Sequence, residues 1–384
     1  MALHFTKDEL AQRQHRTIEQ LQQRQLDGLL MFRQESMYYL SGYDSFGYVF
    51  FQCLYLDTDG RLMLLTRAPD LRQARHTSII EDIRIWEDRA DADPAMQLKS
   101  VLQGLGCRGK KLGVEYDAYG LTAKNGKLLE AALADFCTLE DASDIVSRLR
   151  VVKSESEMAY VRQAAELADR AYDEAHRLSA PGADEGDILA AMQGVIFAGG
   201  GDYPGNEFII GSGADALLCR YKSGRRQLDD QDQLTLEWAA AYRHYHAAMM
   251  RTIPVGHATD RHKKMHAVTA EAMTACLEAL KPGNPIGDVF DAYARVCDAA
   301  GMRDHRLNAC GYSMGTTFAP NWMDWPMFYH GNPVVAVPNM VFFLHMILMD
   351  SDANQAMCFG HSAVVTESGC ESLSRRSMDL VVAR

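Results

Sequence analysis

The sequence predicts two domains: an α/β domain over residues 1–150, and an α+β domain over 151–384 built from an internal repeat. Three observations support this prediction. Helical and strand patterns alternate through the first 150 residues, a helix-opening motif stands at the boundary, and two helix pairs with matching ends recur in the second part. With 384 residues and 47% hydrophobic content, the chain is long and apolar enough to form two separate cores.

The first domain begins with an amphipathic helical pattern over residues 7–25, which is followed by a short apolar run. A hairpin comes next, because Asp57-Thr58-Asp59-Gly60 is a good turn sequence between two apolar segments. This alternation of helices and strands is typical of an α/β domain with a mixed sheet. Strands are predicted at 28–32, 49–56, 61–66, 79–86 and 111–114.

The second domain contains an internal repeat. A capping box of Ser154 and Glu157 opens its first helix, and Pro181-Gly182 ends it. The same ending returns at Pro282-Gly283, and each ending is followed at the same offset by a Gly-Asp pair that opens a second helix. Two such helix pairs, each followed by glycine-rich strands, imply two pseudo-symmetric halves on one curved sheet. The later helices are predicted at 184–198, 261–280 and 287–300.

Composition excludes several classes of partner. The formal net charge is -12 and the pI is near 5.5, which argues against nucleic acid and anionic membrane surfaces. The first 17 residues lack the apolar core of a signal peptide, and the run Val334–Met349 is too short and interrupted to span a bilayer. Nine cysteines without a Cys-x-x-Cys pair indicate buried thiols in a reducing compartment. These features predict a cytoplasmic protein that binds neither nucleic acid nor a membrane, and they say nothing about small substrates.

Several short motifs occur in an order and spacing that is more specific than any one of them alone. They are Tyr39-Leu40-Ser41-Gly42-Tyr43, Val152-Lys153-Ser154, Ser212-Gly213-Ala214-Asp215-Ala216, Met250-Arg251-Thr252 and Gly311-Tyr312-Ser313-Met314-Gly315. Together they resemble the creatinase, prolidase and aminopeptidase P superfamily over nearly the whole chain. The resemblance implies a creatinase-like domain for 1–150 and a pita-bread fold for 151–384. It also implies a homodimer whose N-terminal domain contributes to the neighbouring pocket.

Metallopeptidases of this fold bind two metal ions through two aspartates, one histidine and two glutamates, since paired ions need hard, bridging carboxylates. At those positions this sequence has Glu237, Ala248, Tyr312, His345 and Gly360, with His361 next to the last. None of the five keeps its residue type. The resemblance therefore implies that the dinuclear site is lost and that no metal or other cofactor is needed. In this respect the chain is similar to creatinase and ectoine hydrolase, and it shares more motifs with ectoine hydrolase.

Glu237, His246, His345 and Tyr312 are the candidate catalytic residues. Glu237 lies in an apolar run, where burial raises a carboxyl pKa and suits it to act as a general base, a general acid or a nucleophile; an edge-strand glutamate facing solvent is the alternative. His345 interrupts an apolar strand, and His246 precedes small residues. Either histidine would form an acid–base pair with Glu237, and a structural role is the alternative for each of them. Tyr312 is a candidate donor to an oxyanion, or a core tyrosine.

Five further residues are candidates for substrate binding. Arg220 stands where creatinase has its catalytic histidine, and it suits a bidentate grip on a carboxylate unless it forms a surface ion pair. His244 precedes the catalytic candidate His246 by two, a spacing that predicts one shared strand face. Trp322 and Asp324 fall in the segment that replaces the Trp-Gly-Glu-Arg of ectoine hydrolase. A one-residue slip of the alignment at Gly360 would bring in the neighbouring His361.

These residues predict a hydrolase that cleaves a non-peptide C–N bond, amide or amidine-like, in a small carboxylate-bearing metabolite. One alternative is a metal-dependent Xaa-Pro dipeptidase or aminopeptidase with a rebuilt mononuclear zinc site, because Glu237, His345 and His361 form a His-His-Glu set. Another alternative is a homologue that binds a small ligand without catalysis. The retained acid and the newly placed histidines favour catalysis, since drift rarely fills an emptied metal site with titratable groups.

Overall fold

The computed structural model describes residues 3–220 and 225–384. The chain divides into two compact units, with the boundary between Arg150 and Val151. In the described ranges, no helix is long and apolar enough to cross a membrane.

The first unit is an α/β domain with a mixed sheet, which confirms the predicted class. Its strands are β1 (Gly28–Met31), β2 (Cys53–Asp57), β3 (Leu62–Arg67), β4 (Asp82–Trp86), β5 (Lys111–Val114) and β6 (Thr138–Asp141). Its helices are α1 (Lys7–Gln23), α2 (Gln34–Ser41), α3 (Leu71–Thr77), α4 (Pro94–Gly104), α5 (Ala123–Leu133) and α6 (Asp144–Arg150). The strand order is β4-β3-β2-β1-β5-β6, with an antiparallel β1-β2-β3 centre and parallel pairs outside it.

The predicted strand at 49–56 begins late, at Cys53. Gly47–Val49 forms a 3-10 turn instead, and Phe46, Val49 and Phe50 are exposed. The apolar residues at the start of the predicted strand therefore belong to a surface loop rather than to the sheet.

The second unit has the predicted α+β architecture. Its helices are α7 (Glu155–Leu178), α8 (Glu185–Ala198), α9 (Asp260–Ala279) and α10 (Gly287–Ala299). Its strands are β7 (Ile209–Ser212), β8 (Asp232–Tyr242), β9 (Tyr245–Val255), β10 (Gly311–Ser313), β11 (Asp324–Met327), β12 (Val341–Asp350), β13 (Gln355–Val365) and β14 (Cys370–Ser372). The strand order is β11-β10-β12-β13-β9-β8-β7, and β14 pairs with β13.

The internal repeat is confirmed by the packing of this unit. Helix α7 packs on the hairpin β8–β9, and α9 packs on the hairpin β12–β13. Ser154 and Glu157 bond reciprocally at the start of α7, and Thr259 and His262 do the same at the start of α9. Each half is thus a long strand hairpin backed by a capped helix, and the two hairpins meet where β9 pairs with β13.

The seam between the halves is short. Within the described strands, β9 and β13 share three backbone pairs, and side-chain hydroxyls bond to backbone on either side of them. Ser362 Oγ contacts the amide (2.8 Å) and carbonyl (3.0 Å) of Ala248. At the other end, the amide of Cys358 donates to Thr252 Oγ1 at 2.9 Å. The paired residues are Phe359 with Arg251, Gly360 with Met250, and His361 with Met249.

Candidate active site

Side chains alternate between the two faces of a strand, so the register of the sheet decides which of them share a face. Glu237 pairs with Met250, Met250 with Gly360, and Gly360 with His345. These four residues form one row across β8, β9, β13 and β12. Ala248 lies two residues from Met250 and faces the same side.

Tyr312 reaches the same side from β10. It pairs with Phe343, which lies two residues before His345. The Tyr312 hydroxyl is 3.4 Å from Oε1 of Glu237, although four strand spacings of about 4.8 Å each separate β10 from β8 in the sheet order. The sheet is therefore strongly curved, and the row lies on its concave face. All five positions that the family resemblance marks as ligand positions face this concave side.

Glu237 is a buried carboxyl with an elevated pKa. Its side chain is 8% exposed, and β7 covers the edge of β8 because Ile209 pairs with Glu237. Burial raises the pKa of Glu237 to about 7, while the charge of Arg220 and the hydrogen bond from Tyr312 act in the opposite direction. Both protonation states are populated near neutral pH, and the alternative of a solvent-facing edge glutamate does not hold.

Tyr312 and Trp322 hold the Glu237 carboxylate in place. The indole Nε1–H of Trp322 donates to the Tyr312 hydroxyl at 2.8 Å, so the proton of that hydroxyl is directed toward Glu237. Burial, followed by the charge of Glu237, raises the pKa of Tyr312 and keeps it neutral. The sequence suggested Tyr312 as an oxyanion donor, but in this arrangement its proton orients the carboxylate.

His345 faces the concave side with an unsatisfied nitrogen. It is 7% exposed, and its ring centroid lies 5.6 Å from that of Tyr312 and 5.5 Å from that of Phe343. Within the described residues, its buried Nδ1 has no hydrogen-bond partner. Burial, helped by the charge of Arg220, lowers the pKa of His345 to about 4. The imidazole is therefore neutral at physiological pH and has a free nitrogen for a ligand.

Arg220 is the cation of the site. It follows the 3-10 turn Gly213–Leu217 and is exposed. Its charge acts on the pKa values of Glu237, Tyr312 and His345. The exposed guanidinium is therefore close enough for its charge to act on all three buried groups, and its contact with a substrate carboxylate stays a prediction.

His246 also faces the concave side, because it pairs with Ala241, four residues after Glu237 in β8. Its ring nitrogens contact Gly205 and Thr317. The structure thus gives His246 partners other than the carboxylate with which the sequence paired it.

The structure corrects the prediction for His361. This residue pairs with Leu344 and Met249, and strand alternation turns it to the convex, helix-covered side. There its Nε2 contacts the guanidinium of Arg251, and its Nδ1 lies 3.3 Å from Ser372 Oγ. The His-His-Glu zinc set therefore does not form. Across residues 3–220 and 225–384, no group of three His, Cys, Asp or Glu side chains is placed to hold a metal ion.

The structure also corrects the prediction for His244. Arg243 and His244 have φ values of +50° and +65° and form the two-residue turn between β8 and β9, so His244 does not share a strand face with His246. The His244 ring stacks on Phe318, with centroids 4.3 Å apart. It is half-buried at the hairpin tip and belongs to the packing of the loop that follows β10.

Asp324 is buried in β11, where one carboxylate oxygen accepts the amide of Trp325 at 2.9 Å. Its other oxygen lies 3.6 Å from the place a Cβ on Gly315 would occupy, and the Lys153 ammonium lies 3.3 Å from the same place. Asp324 therefore lies near a buried cation beside the loop after β10. Its charge also acts on His246, where it opposes the fall in the pKa of that histidine. The predicted contact between Asp324 and a substrate stays a prediction.

Comparison with known proteins decides the family. The model of metallopeptidase family M24 matches residues 159–367, and that of the creatinase/prolidase N-terminal domain matches 13–152. The chain belongs to metallopeptidase family M24. Among curated relatives, it is 28% identical to an uncharacterized hydrolase/peptidase of Sinorhizobium fredii over 99% of both chains. It is 26% identical to the ectoine hydrolase of Halomonas elongata over 97% of both.

Solved structures of an aminopeptidase and a prolidase show the same fold. The X-Pro aminopeptidase from Thermotoga maritima superposes with a TM-score of 0.84 at 20% identity, over 96% of this chain and 99% of that one. The prolidase from Thermococcus sibiricus gives 0.87 at 18% identity, over 97% and 99%. The predicted superfamily is confirmed, and the enzyme is an M24 hydrolase.

The name of family M24 implies metal ions, but the residues of this site do not fit a dinuclear centre. Ala248 and Gly360 offer no side-chain ligand atom. A Cβ placed on Gly360 would lie 2.8 Å from Cε2 and Cζ of Phe343, so that ring fills the space a larger side chain would need. A glutamate at 360 would require Phe343 to move, and bridging carboxylates are what paired ions need.

Phe343 is the site residue that sequence reasoning missed. Its ring packs edge-to-face on Tyr312, with centroids 5.6 Å apart, and contacts His345. Counting back two residues from His345 would have predicted that Phe343 faces the same side. The sequence pattern hid it because the run Val341–Leu344 is apolar on both faces.

Proposed function

We propose that this M24 enzyme hydrolyses a C–N bond, amide or amidine-like, in a small carboxylate-bearing molecule, and that it does so without paired metal ions. The observation that carries the proposal is that one concave face presents both a buried Glu237 carboxyl, whose pKa burial raises to about 7, and a neutral His345. A carboxyl with such a pKa is suited to accept and return a proton at neutral pH.

Glu237 supplies the first step. Its ionised carboxylate takes a proton from a water molecule that attacks the carbon of the C–N bond, or it attacks that carbon itself. In the first route, the proton returns from Glu237 to the leaving nitrogen as the bond breaks. In the second route, attack by the carboxylate breaks the C–N bond, the leaving nitrogen takes a proton from water through His345, and an acyl–enzyme anhydride remains, which the hydroxide so formed cleaves to regenerate the Glu237 carboxylate. Tyr312 orients the carboxylate in both routes through its 3.4 Å hydrogen bond.

His345 and Arg220 complete the reaction. A neutral imidazole accepts a hydrogen bond at one nitrogen and donates at the other, so His345 relays a proton between water and the leaving nitrogen. Its unpartnered Nδ1 supports this role. The exposed Arg220 guanidinium binds the substrate carboxylate and thereby orients the bond over Glu237.

The relatives define the substrates to be tested. The ectoine hydrolase relative supports a non-peptide C–N bond, whereas Xaa-Pro dipeptidases also match, at 22% identity in the case of Pyrococcus horikoshii over 95% of this chain and 97% of that one. The test is a panel of ectoine, other cyclic amidines, lactams, guanidino acids and Xaa-Pro dipeptides. Untagged enzyme is assayed before and after dialysis against a chelator.

The proposal expects turnover of a non-peptide substrate that survives chelation and is lost in Glu237→Gln, with substrate binding retained. Mass spectrometry of quenched enzyme distinguishes the two routes, because only nucleophilic attack leaves an acyl group on Glu237. Turnover of Xaa-Pro dipeptides alone, or two tightly bound metal ions per chain, would refute it.

We also propose a cytoplasmic homodimer. All nine cysteines are free thiols, which supports a reducing compartment. The exposed loop residues Phe46, Val49 and Phe50 of the first unit offer an apolar surface that a second copy would cover.

A further inference from the structure

His246 is completely buried and has partners at both ring nitrogens. The amide N–H of Gly205 donates to its Nε2 at 2.8 Å. Its Nδ1 lies 3.2 Å from Thr317 Oγ1 and 3.4 Å from the Gly315 carbonyl. Because Nε2 accepts, the neutral ring carries its proton on Nδ1, which donates toward the loop after β10.

This arrangement opposes protonation of His246. An imidazolium would point a second N–H at the N–H of Gly205, and no lone pair would remain for that amide. Burial, followed by the nearby His244, also lowers the pKa of His246 to about 4. A ring with both nitrogens bonded to protein is not free to exchange protons with a substrate.

The two loops that His246 joins both lead to the catalytic carboxylate. In the first loop, Asn206 Oδ1 accepts the amide of Trp322 at 3.3 Å, and a Cβ on Gly205 would lie only 2.6 Å from the Asn321 carbonyl. In the second loop, Trp322 donates to Tyr312, which donates to Glu237. The chain of contacts runs from the imidazole through both loops to the side chain that would react.

We propose that His246 is a positioning residue, which ties the loop at Gly205 to the loop at Gly315–Trp322 and so fixes the Trp322–Tyr312–Glu237 relay. The expected effect of His246 on turnover rests on the proposed function. The link between the loops stands on the hydrogen bonds alone and can be measured without a substrate.

Two substitutions separate the two sides of the link. A glutamine places an oxygen near the position of Nε2, so His246→Gln keeps the acceptor for Gly205. An asparagine places its amide near Nδ1, so His246→Asn keeps the donor to Gly315 and Thr317, and His246→Ala keeps neither. The exposed His330, which pairs with Asp291, provides the matched control His330→Gln.

Hydrogen exchange measured by mass spectrometry is the first readout. We expect the peptide containing Gly205 to exchange roughly tenfold faster in His246→Asn and His246→Ala, because that amide loses its acceptor, and to stay protected in His246→Gln. The control should match the wild type. Unchanged protection of Gly205 in His246→Ala would overturn the link, whatever the reaction of the enzyme.

Kinetics with the substrate found in the panel is the second readout. We expect His246→Ala, which loses the hydrogen bonds at both ring nitrogens, to lower kcat by roughly tenfold or more, with partial rescue in His246→Gln and an unchanged pH profile. Two results would show that His246 is an acid–base catalyst and not a positioning residue. One is the disappearance of one side of the bell-shaped pH dependence of kcat. The other is a fall in kcat in both His246→Gln and His246→Asn that is as large as the fall in Glu237→Gln. If Glu237→Gln keeps full turnover, the proposed function fails while the exchange result still decides the link.

Discussion

Replacing Glu237 by glutamine should stabilise the second unit at alkaline pH. Glutamine keeps the shape and can still accept the Tyr312 hydrogen bond, but it removes the ionisable proton. The pKa of Glu237 lies near 7 in the folded protein, against an ordinary value of 4.5. The folded state therefore binds this proton more tightly than the unfolded state, and ionisation of the buried carboxyl opposes folding.

The size of the effect follows from the difference between those two pKa values. At about 1.4 kcal/mol per pKa unit, the difference between 4.5 and about 7 corresponds to about 3.5 kcal/mol. The proton-linked stability is fully present below pH 4.5, falls as pH rises from 4.5 to 7, and is gone above 7. Glu237→Gln does not lose it, so the variant should gain about 2.5 kcal/mol relative to the wild type between pH 5 and pH 8.

The assay is urea unfolding at pH 5, 6, 7 and 8, followed by tryptophan fluorescence, because Trp238, Trp322 and Trp325 lie in the second unit. Other titrating groups are common to both proteins and cancel in the difference. The exposed Glu166 of α7 provides the matched control Glu166→Gln, which should leave the pH dependence unchanged. A difference between Glu237→Gln and wild type that does not vary with pH would refute the claim that burial raises this pKa.

Replacing residues 237, 248, 312, 345 and 360 together by the aspartates, histidine and glutamates of the metallopeptidases should not create metal binding while Phe343 is present. Adding Phe343→Ala to that variant should create it. Calorimetry with Mn²⁺ measures both variants, and tight binding by the first would show that the ring is no obstacle. Arg220→Lys should raise KM about tenfold with kcat nearly unchanged, because lysine lacks the forked geometry that binds a carboxylate. An equal fall in kcat would instead show that the guanidinium stabilises the transition state. Phe46→Ser with Phe50→Ser should shift the protein from dimer to monomer in light scattering, and a wild type that is monomeric at assay concentration would dismiss that interface.

Local sequence signals predicted most of the fold. The capping box at Ser154, the Pro-Gly helix ends and the Asp57–Gly60 turn each act over a few residues, and each lies where the pattern puts it. The strand at 49–56 was misjudged because apolar residues do not distinguish a strand from a packed or exposed loop. The turn at Arg243–His244 was missed for a related reason, since it lacks the glycine or asparagine that usually marks two residues of positive φ.

The site was harder to predict than the fold. Glu237 and Tyr312 are 75 residues apart in sequence, and only the family resemblance suggested that they meet. The register of β13 determines which of the adjacent residues Gly360 and His361 faces the concave side. Gly360 pairs with His345 and faces that side, whereas His361 faces the opposite side. The partners of His246 lie in two separate loops, so no spacing along its own strand could reveal them.

The short seam between the two halves has a consequence for how the enzyme folds. Met250 and Gly360, which lie 110 residues apart, belong to one of three backbone pairs that join β9 to β13, and they also lie between Glu237 and His345 in the row. Each hairpin can form from contacts local in sequence, whereas this junction requires closure of a long loop.

Neither half contains a site by itself, because Glu237 comes from one hairpin and His345 from the other. A folding intermediate with both hairpins formed and the seam open would show nearly complete secondary structure and no activity. Recovery of turnover should therefore lag behind recovery of the far-ultraviolet circular dichroism signal during refolding. We therefore expect the active site to be the last part of the sheet to assemble.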